Sequence, residues 1–262
     1  MKKHIKAIDA RGRKLGGETP LLCTPLVGRT RERVLAEATS VIRQKPDLIE
    51  WRVDFFAAIA NTEAILATGR ELREAVGKRP IIFTCRAERG GGDRTALGEA
   101  DVVDLYAAVA AARLVDFIDF EVDNDPGQIR RVRECTRQNE IRLILSYHNM
   151  SYTPGLEYLV DRFLEAERLG ADVSMVQVMP RDRADVLRLL AATAAADDKT
   201  RIPLISIALG PLGSVTRMVG GLFGSWLSFA VGETASAPGQ IPIGDLVTAF
   251  DIIRRSRGGE MF

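Results

Sequence analysis

The chain lacks the features that mark secreted, membrane-spanning and metal-clustered proteins. Its three cysteines, Cys23, Cys85 and Cys135, are odd in number and far apart, which argues against a disulfide framework and a structural zinc site. No apolar run approaches the ~18 residues of a membrane-spanning helix. The basic amino terminus has no apolar segment of the kind that a secretory signal needs. These absences predict a cytoplasmic protein without membrane contact.

An excess of charge is also absent, because 36 Lys and Arg residues are balanced by 35 Asp and Glu residues. Proteins that bind nucleic acid carry a basic patch or stripe, so we expect no nucleic-acid partner. Lysine is scarce, and none falls in a predicted strand. The seven lysines lie in the amino-terminal segment or in predicted helices and their flanks: Lys2, Lys3, Lys6, Lys14, Lys45, Lys78 and Lys199.

The chain does have the length and the apolar content for one large core, with 262 residues of which 46% are hydrophobic. Short apolar runs alternate with segments of helical period, a pattern typical of parallel strands that are buried on both faces. Eight such strands fit a closed (β/α)8 barrel or an open doubly wound sheet. No Gly-x-Gly-x-x-Gly follows the first run, which disfavours the dinucleotide-binding version. The predicted strands are residues 21–27, 48–53, 80–85, 115–122, 141–147, 173–178, 203–208 and 227–231.

We therefore predict the α/β class and a single (β/α)8 TIM barrel over residues 21–257. A short extension, residues 1–20, would cap the bottom of the barrel, and residues 258–262 would form a tail. The segment 213–220 is bounded by glycine, and we expect a long loop with one short helix there.

Helix starts are predicted where short polar side chains precede a helical pattern. Asn61, Thr153 and Asp182 suit the N-cap position, because their oxygens can accept a hydrogen bond from the first helical turn. Pro154 would then be the first helical residue. In the helix after Asp182, we expect Leu187 on the buried face.

Polar residues interrupt the apolar strands at their carboxyl ends, where barrel enzymes carry their functional groups. The second strand ends with Glu50, Arg52 and Asp54 on one face, and with Trp51 and Val53 on the other. If the first face is the barrel interior, an acid and an arginine lie together at its top. The alternative is a buried structural ion pair.

Other polar groups follow later strands. The third strand ends at Arg86 before a glycine-rich loop, which is often a lid or an anion site. The fifth ends at His148, whose ordinary pKa suits proton transfer, although a buried structural histidine is the alternative. Arg217, with Ser236 and Gln240, supplies donors suited to a small carboxylate. The alternative for the last segment is a surface turn.

Taken in chain order, six segments resemble the type I 3-dehydroquinate dehydratase family over residues 21–253. Any one of them alone is unspecific, whereas six in the right order form a specific match. The resemblance implies an enzyme of the shikimate pathway, often a homodimer, that binds a small-molecule carboxylate and uses no cofactor. The segments are residues 48–54, 83–86, 146–149, 178–180, 223–225 and 235–241.

The resemblance also implies a reaction and the residues for it. The family removes water from a cyclic β-hydroxy ketone through an imine on an active-site lysine, and the protonated imine accepts electrons as the α-proton leaves. His148 would be the general acid/base, and Arg217 would hold the substrate carboxylate. The other substrate-binding residues would be Glu50, Arg52 and Arg86 at the ring hydroxyls, Phe229 in the pocket wall, and Ser236 and Gln240 on a closing loop.

The chain departs from the family where the lysine belongs. Gapless alignment of residues 171–180 places Met175 at that position, and a thioether cannot form an imine. Methionine is close to lysine in length and shape, so the pocket can survive without the chemistry. Two further departures are Gly90, where the family usually has a glutamate, and Pro25, where a serine is common. Glu88 could replace that glutamate only along a different loop path.

Several interpretations stay open from the sequence. Met175 could reflect an engineered Lys→Met change, a natural paralogue that keeps the pocket, or dehydratase activity without an imine. The protein would then be a lyase with His148 as proton shuttle, or a non-catalytic binder or regulator of a quinate- or shikimate-like carboxylate. A metal-dependent barrel enzyme is the third option, because Asp54, Asp119, Glu121 and His148 could gather around a cation.

Overall fold

The structure is a computed structural model that describes residues 7–17 and 19–258, with side chains up to residue 256. Lys2, Lys3 and Lys6 and nearly all of the predicted tail lie outside the described residues. The strands are β1 (Ile8–Ala10), β2 (Arg13–Leu15), β3 (Leu21–Leu26), β4 (Leu48–Arg52), β5 (Ile81–Thr84), β6 (Phe117–Glu121), β7 (Arg142–Asn149), β8 (Val173–Val178), β9 (Leu204–Ala208), β10 (Leu227–Val231) and β11 (Ile241–Pro242). The helices are α1 (Arg31–Arg43), α2 (Thr62–Val76), α3 (Glu99–Ala111), α4 (Pro126–Gln138), α5 (Leu156–Arg168), α6 (Arg183–Asp197), α7 (Gly210–Gly213), α8 (Val215–Val219) and α9 (Ile243–Gly258).

Strands β3 to β10 form the predicted barrel. They are parallel and pair in chain order, and β10 returns to pair with β3. A parallel bridge between Leu204 and Ser225 joins β9 to the start of β10, where Trp226 N donates to Leu204 O at 2.8 Å. The ring is therefore closed, and the (β/α)8 barrel is confirmed over the open doubly wound sheet.

Alternation along each strand separates the barrel interior from the layer under the helices. In β4, Trp51 packs into the apolar layer between sheet and helices, whereas Glu50 and Arg52 face the interior. The lowest interior layer is wholly apolar, so polar side chains begin only toward the carboxyl ends of the strands. That apolar layer consists of Cys23, Leu48, Ile82, Phe117, Ile144, Val173, Ile205 and Leu227.

The β1–β2 hairpin packs against this lowest layer. Ile8, Ala10 and Leu15 are buried in the same apolar cluster as the interior residues. One end of the barrel is thereby closed by apolar contacts, which leaves the opposite end for polar groups. The boundaries of the extension, the barrel and the tail stay predictions.

The helix starts show where local patterns suffice. Asn61 and Asp182 are N-caps as predicted, and they accept hydrogen bonds from the backbone N–H groups of the third helical residues at 3.1 and 2.9 Å. The prediction for Thr153 is wrong, because α5 begins at Leu156 and the Thr153 hydroxyl donates to Met179 O instead. Leu187 is also 66% exposed, since the inward stripe of α6 runs through Leu189.

The segment 213–220, predicted as a loop with one short helix, contains the end of α7, all of α8 and the start of a 3-10 turn, Gly220–Phe223. Among the described residues, no helix has both the length and the apolar content to cross a membrane.

Candidate active site

A cavity of about 90 Å³ lies at the carboxyl ends of the barrel strands. The strand order brings together residues of four strands, β4, β7, β8 and β10, with residues of the loop after β5 and of two later segments, although they are far apart in the chain. Its wall contains every residue that the sequence predicts for the site: Glu50, Arg52, Arg86, His148, Met175, Arg217, Phe229, Ser236 and Gln240. Their positions are now known, whereas their roles stay predictions.

Glu50 lies deep in this cavity, one pleat below Arg52 on β4. It is 5% exposed and accepts a hydrogen bond from Thr84 Oγ1 at 2.7 Å. Burial raises the pKa of Glu50, and the nearby charge of Arg52 only partly offsets that effect. The carboxyl group is therefore easier to protonate than an exposed glutamate.

Arg52 pairs with Asp54 rather than with Glu50. Its Nε and Nη2 donate to the two carboxylate oxygens of Asp54 at 2.9 and 2.7 Å, and the guanidinium lies 5.0 Å from the ring centroid of Phe55. Burial would lower the pKa of Arg52, but Asp54 and Glu50 together raise it. The structural ion pair therefore exists, and it holds a charged arginine at the cavity wall.

Arg86 is the centre of a buried polar network across three strands. It donates to Asp119, to Glu121 Oε1 at 3.2 Å and to Ser146 Oγ at 2.9 Å. Ser146 Oγ in turn donates to Asp119 Oδ1 at 2.6 Å. Burial opposes the charge on Arg86, but the two carboxylates outweigh it and raise its pKa. The network fixes Arg86 beside the cavity with little freedom to move.

The imidazole of His148 has no fixed partner. Its ring is partly buried, both nitrogens are shielded from solvent, and neither makes a hydrogen bond to any described residue. Burial lowers the pKa of His148 well below its ordinary value, with smaller effects from the charges of Arg86 and Arg52. His148 is therefore neutral near pH 7 and able to take up a proton from a bound molecule.

This lowered pKa predicts a loss of stability in mild acid. Between about pH 7 and pH 5, the unfolded chain binds a proton at His148 while the folded chain does not, so the free energy of unfolding falls as the pH falls. Each pH unit below the unfolded pKa of about 6.5 costs up to about 1.4 kcal/mol. Urea unfolding of the wild type and H148Q across this range measures the difference. Equal pH slopes in the two proteins would contradict a lowered pKa.

Met175 lies in the cavity wall, at the position that the alignment assigns to the family's lysine. It is 4% exposed, pairs in register with Ser146 on β7, and belongs to the apolar cluster that contains Phe229 and Ile207. No lysine among the described residues lines the cavity. The side chain fills its position as an apolar group.

Gly90 leaves no room for a larger residue beside His148. A Cβ atom there would lie 2.9 Å from Arg86 Cδ, 3.0 Å from Glu121 Oε1 and 3.4 Å from His148 Cβ. Any larger residue at this position would therefore require Arg86 or Glu121 to shift. Glu88 does not replace the family's glutamate, because its side chain is exposed and lies outside the cavity wall.

Pro25 is buried in β3 opposite Glu50, and it is not among the residues of the cavity wall. A proline in place of the family's serine therefore changes a strand next to Glu50 and not the lining of the cavity.

Arg217 is a buried cation without an acidic partner among the described residues. It is 3% exposed, and its guanidinium donates to backbone oxygens of Gly239 at 2.9 Å, Phe229 at 3.0 Å and Pro238 at 3.5 Å. Burial lowers the pKa of Arg217 to about 10. Carbonyl dipoles thus hold the charge in place, but no neighbouring anion neutralises it.

Ser236 and Gln240 lie in a turn that forms part of the cavity wall. Ser236 N donates to Gln240 Oε1 at 2.9 Å, and Gln240 Nε2 donates to Ser236 Oγ at 3.2 Å. The surface-turn alternative was therefore right about the turn, but the turn also contributes to the cavity wall. Through the carbonyl oxygens of Pro238 and Gly239, the same turn contacts Arg217.

The sequence reasoning missed several residues of the wall. Gln177 could have been found, because it follows Met175 by two residues and must share its face of β8. Met150 lies after β7 and carries no pattern that marks it. The other residues of the wall that were not predicted are Gly91, Ala237 and Pro238.

The metal-enzyme alternative is not supported by the geometry. Asp54 is bound to Arg52, and Asp119 and Glu121 are bound to Arg86. Among the described residues, no group of three or more His, Cys, Asp or Glu side chains is placed to hold a metal ion. The acidic residues neutralise arginines instead.

A larger cavity of about 360 Å³ lies at the other end of the barrel, between the segment before β3 and helix α9. Its wall includes Met218, Trp226 and Phe250, with Arg254 as its charged residue. It contains no residue predicted for the site, so the polar cavity is the better candidate.

A family model described as type I 3-dehydroquinase matches residues 22–257. The chain belongs to the type I 3-dehydroquinase family. The resemblance inferred from six short segments is thereby confirmed.

Alignments with individual relatives extend over nearly the whole chain. The chain is 49% identical over 254 residues to 3-dehydroquinate dehydratase of Albidiferax ferrireducens, covering 97% of this chain and 96% of that one. It is 43% identical to the enzyme of Geobacillus sp. WCH70, covering 95% and 96%.

Solved structures agree with the fold. The crystal structure of 3-dehydroquinate dehydratase from Geobacillus kaustophilus superposes with a TM-score of 0.95 at 44% identity, covering 97% of this chain and 99% of that one. The type I enzyme from Clostridium difficile gives 0.92 at 30% identity, covering 96% and 99%.

Proposed function

We propose that this family member binds a small cyclic hydroxylated carboxylate of the 3-dehydroquinate or shikimate type, with His148 as general acid/base, and that it forms no imine. The observation that carries the proposal is the buried guanidinium of Arg217, which meets no acidic group among the described residues. A buried charge without a counter-ion is costly. A ligand carboxylate in this cavity would supply the missing charge.

The rest of the wall fits the ring of such a ligand. Glu50 can accept a hydrogen bond from a ring hydroxyl, and Arg52 and Arg86 are held charged at the wall by their acidic partners. Phe229 offers an apolar surface to the ring. Ser236 and Gln240 line the cavity, where their polar groups can exchange their mutual hydrogen bonds for bonds to the ligand.

The chemistry that remains is proton transfer without covalent bonding to the protein. The neutral imidazole of His148 can take the proton from the carbon next to a ketone and return it to the departing hydroxyl group. The thioether of Met175 cannot condense with the ketone. Any water loss in this cavity therefore passes through an enolate and not an iminium ion.

A non-catalytic binder or regulator is the second candidate, and the apolar packing of Met175 in the predicted lysine position favours it. Incubation of concentrated protein with 3-dehydroquinate separates the two, because water loss creates a conjugated enone that absorbs in the ultraviolet. Absorbance that grows with protein concentration supports catalysis. Calorimetric binding without any enone supports the binder. The homodimer and the cytoplasmic location stay predictions.

Replacing Arg217 with methionine is expected to weaken ligand binding by about 100-fold, since hydrogen bonds to charged groups are worth roughly 1.5–3 kcal/mol. Calorimetric titration with 3-dehydroquinate, shikimate and quinate measures the effect. R254M makes the same charge change in the opposite cavity and should bind as the wild type does. Equal affinity of R217M and the wild type would contradict the carboxylate site, and a wild type that binds none of the three would end the proposal.

A further inference from the structure

Gln177 is the neighbour of Met175 on the interior face of β8 and of His148 across the strand pair. It follows Met175 by two residues on β8, so both side chains face the barrel interior. In the strand register it pairs with His148 on β7, and all three side chains line the cavity. The amide therefore lies beside the position of the missing amine and beside the imidazole.

The hydrogen-bonding capacity of this amide is largely unused. Gln177 is 9% exposed, and its one side-chain hydrogen bond among the described residues is donated by Nε2 to Met150 Sδ at 4.0 Å. A thioether is a weak acceptor. Because buried polar groups are nearly always hydrogen-bonded in folded proteins, a bound molecule is the natural partner for this amide.

The other donors around the cavity already have partners. Arg52 and Arg86 donate to carboxylates, Arg217 donates to backbone carbonyls, and Gln240 donates to Ser236. Gln177 and His148 are the two polar side chains of the described wall whose nitrogen and oxygen atoms make no hydrogen bond to oxygen or nitrogen. His148 is needed to transfer the proton. The Gln177 amide therefore remains as the free donor for the ketone oxygen.

We propose that Gln177 donates its Nε2–H to the ketone oxygen of the bound ligand and stabilises the negative charge that develops there. The proposal rests on the function proposed above. His148 takes the α-proton, and the C–H electron pair forms the enolate double bond while the amide holds the enolate oxygen. The electrons then return as the β C–O bond breaks, and His148 gives its proton to the hydroxide. The products are the enone and water, and the imidazole is neutral again.

In this role, a hydrogen bond from the protein takes the place of the iminium ion as the stabiliser of the developing negative charge. Such a donor acts like one member of an oxyanion hole, whose removal typically lowers kcat by about 100- to 1,000-fold. We expect Q177L to lower the rate of enone formation by about 100-fold, while the ligand carboxylate still binds at Arg217.

The infrared band of 3-dehydroquinate labelled with carbon-13 at its carbonyl tests this contact directly. A hydrogen bond lowers the carbonyl stretching frequency, so the bound band should lie lower in the wild type than in Q177L. Q177E keeps the shape of the side chain but cannot donate when ionised, and it should shift the band in the same direction as Q177L. Q177E also provides the test of the hydrogen bond if Q177L does not fold. S174A, on the helix-facing side of β8, is the matched control and should leave the band unchanged.

Two failures are distinguishable in this experiment. If the wild type and both Gln177 variants bind the ligand and the band is the same in all three, the role of Gln177 is overturned and the proposed function stands. If the wild type does not bind 3-dehydroquinate, the proposed function falls and this inference falls with it.

Discussion

Replacing Met175 with lysine is expected to give this protein an imine-forming amine and to raise the rate of water loss from 3-dehydroquinate by at least about 100-fold. The position is buried, lines the cavity, and holds a side chain similar in length to lysine. Burial would lower the pKa of the new amine and favour its nucleophilic form. The iminium ion is a stronger electron sink than a hydrogen-bonded ketone, which is why the effect should be large.

Borohydride reduction followed by mass spectrometry measures this outcome. M175K treated with 3-dehydroquinate and borohydride should gain the mass of the reduced ligand, whereas the wild type and M175L should not. A gain of both adduct and activity would mean that the rest of the site is intact. A folded M175K that binds the ligand without forming an adduct would mean that Gly90 and Pro25 mark a deeper change, and it would favour the binder.

Replacing Arg86 with methionine is expected to destabilise the fold by about 3–5 kcal/mol, the usual cost of removing one partner from a buried ion pair. Asp119 and Glu121 would remain buried without their counter-charge, and Ser146 would lose a donor. Denaturant unfolding near pH 7 measures the loss.

Two controls isolate the buried charge. Arg89 also pairs with Glu121, at 3.6 Å, but its side chain is 57% exposed, so R89M should cost less than about 1 kcal/mol. The triple variant R86M/D119N/E121Q removes the stranded charges and should recover much of the stability lost in R86M. Equal losses in R86M and R89M would show that Arg86 is not the centre of the network.

Much of the barrel could be predicted from local sequence patterns because its strands are apolar and its helices are amphipathic. The observed β8 and β10 have the predicted bounds, and the N-caps Asn61 and Asp182 are where their side chains indicated. Thr153 failed, since its hydroxyl bonds to Met179 in a segment 26 residues away. A local pattern contains no information about such a partner.

Several site residues could be predicted from the sequence for a related reason. Alternation along a strand assigns a side chain to the interior, and the order of strands places neighbouring ends together, so the positions of Glu50 and Arg52 follow from a period of two. The same rule would have found Gln177, which the sequence analysis missed. The partners of those side chains do not follow. Arg52 forms its ion pair with Asp54 and not with Glu50, and the side chain of Glu88 lies outside the cavity. These outcomes depend on distances of a few ångströms between different strands and loops.

The sequence by itself determined that this protein is a barrel of the type I 3-dehydroquinase family and that residue 175 brings no amine to it, because the presence of an atom is a property of the chain. Only the tertiary structure decided which charges are neutralised and which are left for a ligand. It paired Arg86 with two carboxylates, left Arg217 with carbonyl oxygens alone, and gave neither His148 nor Gln177 an oxygen or nitrogen partner among the described residues. The physical reason is that hydrogen bonding and burial are set by neighbours in space, and for these side chains nearly all of those neighbours are distant in sequence.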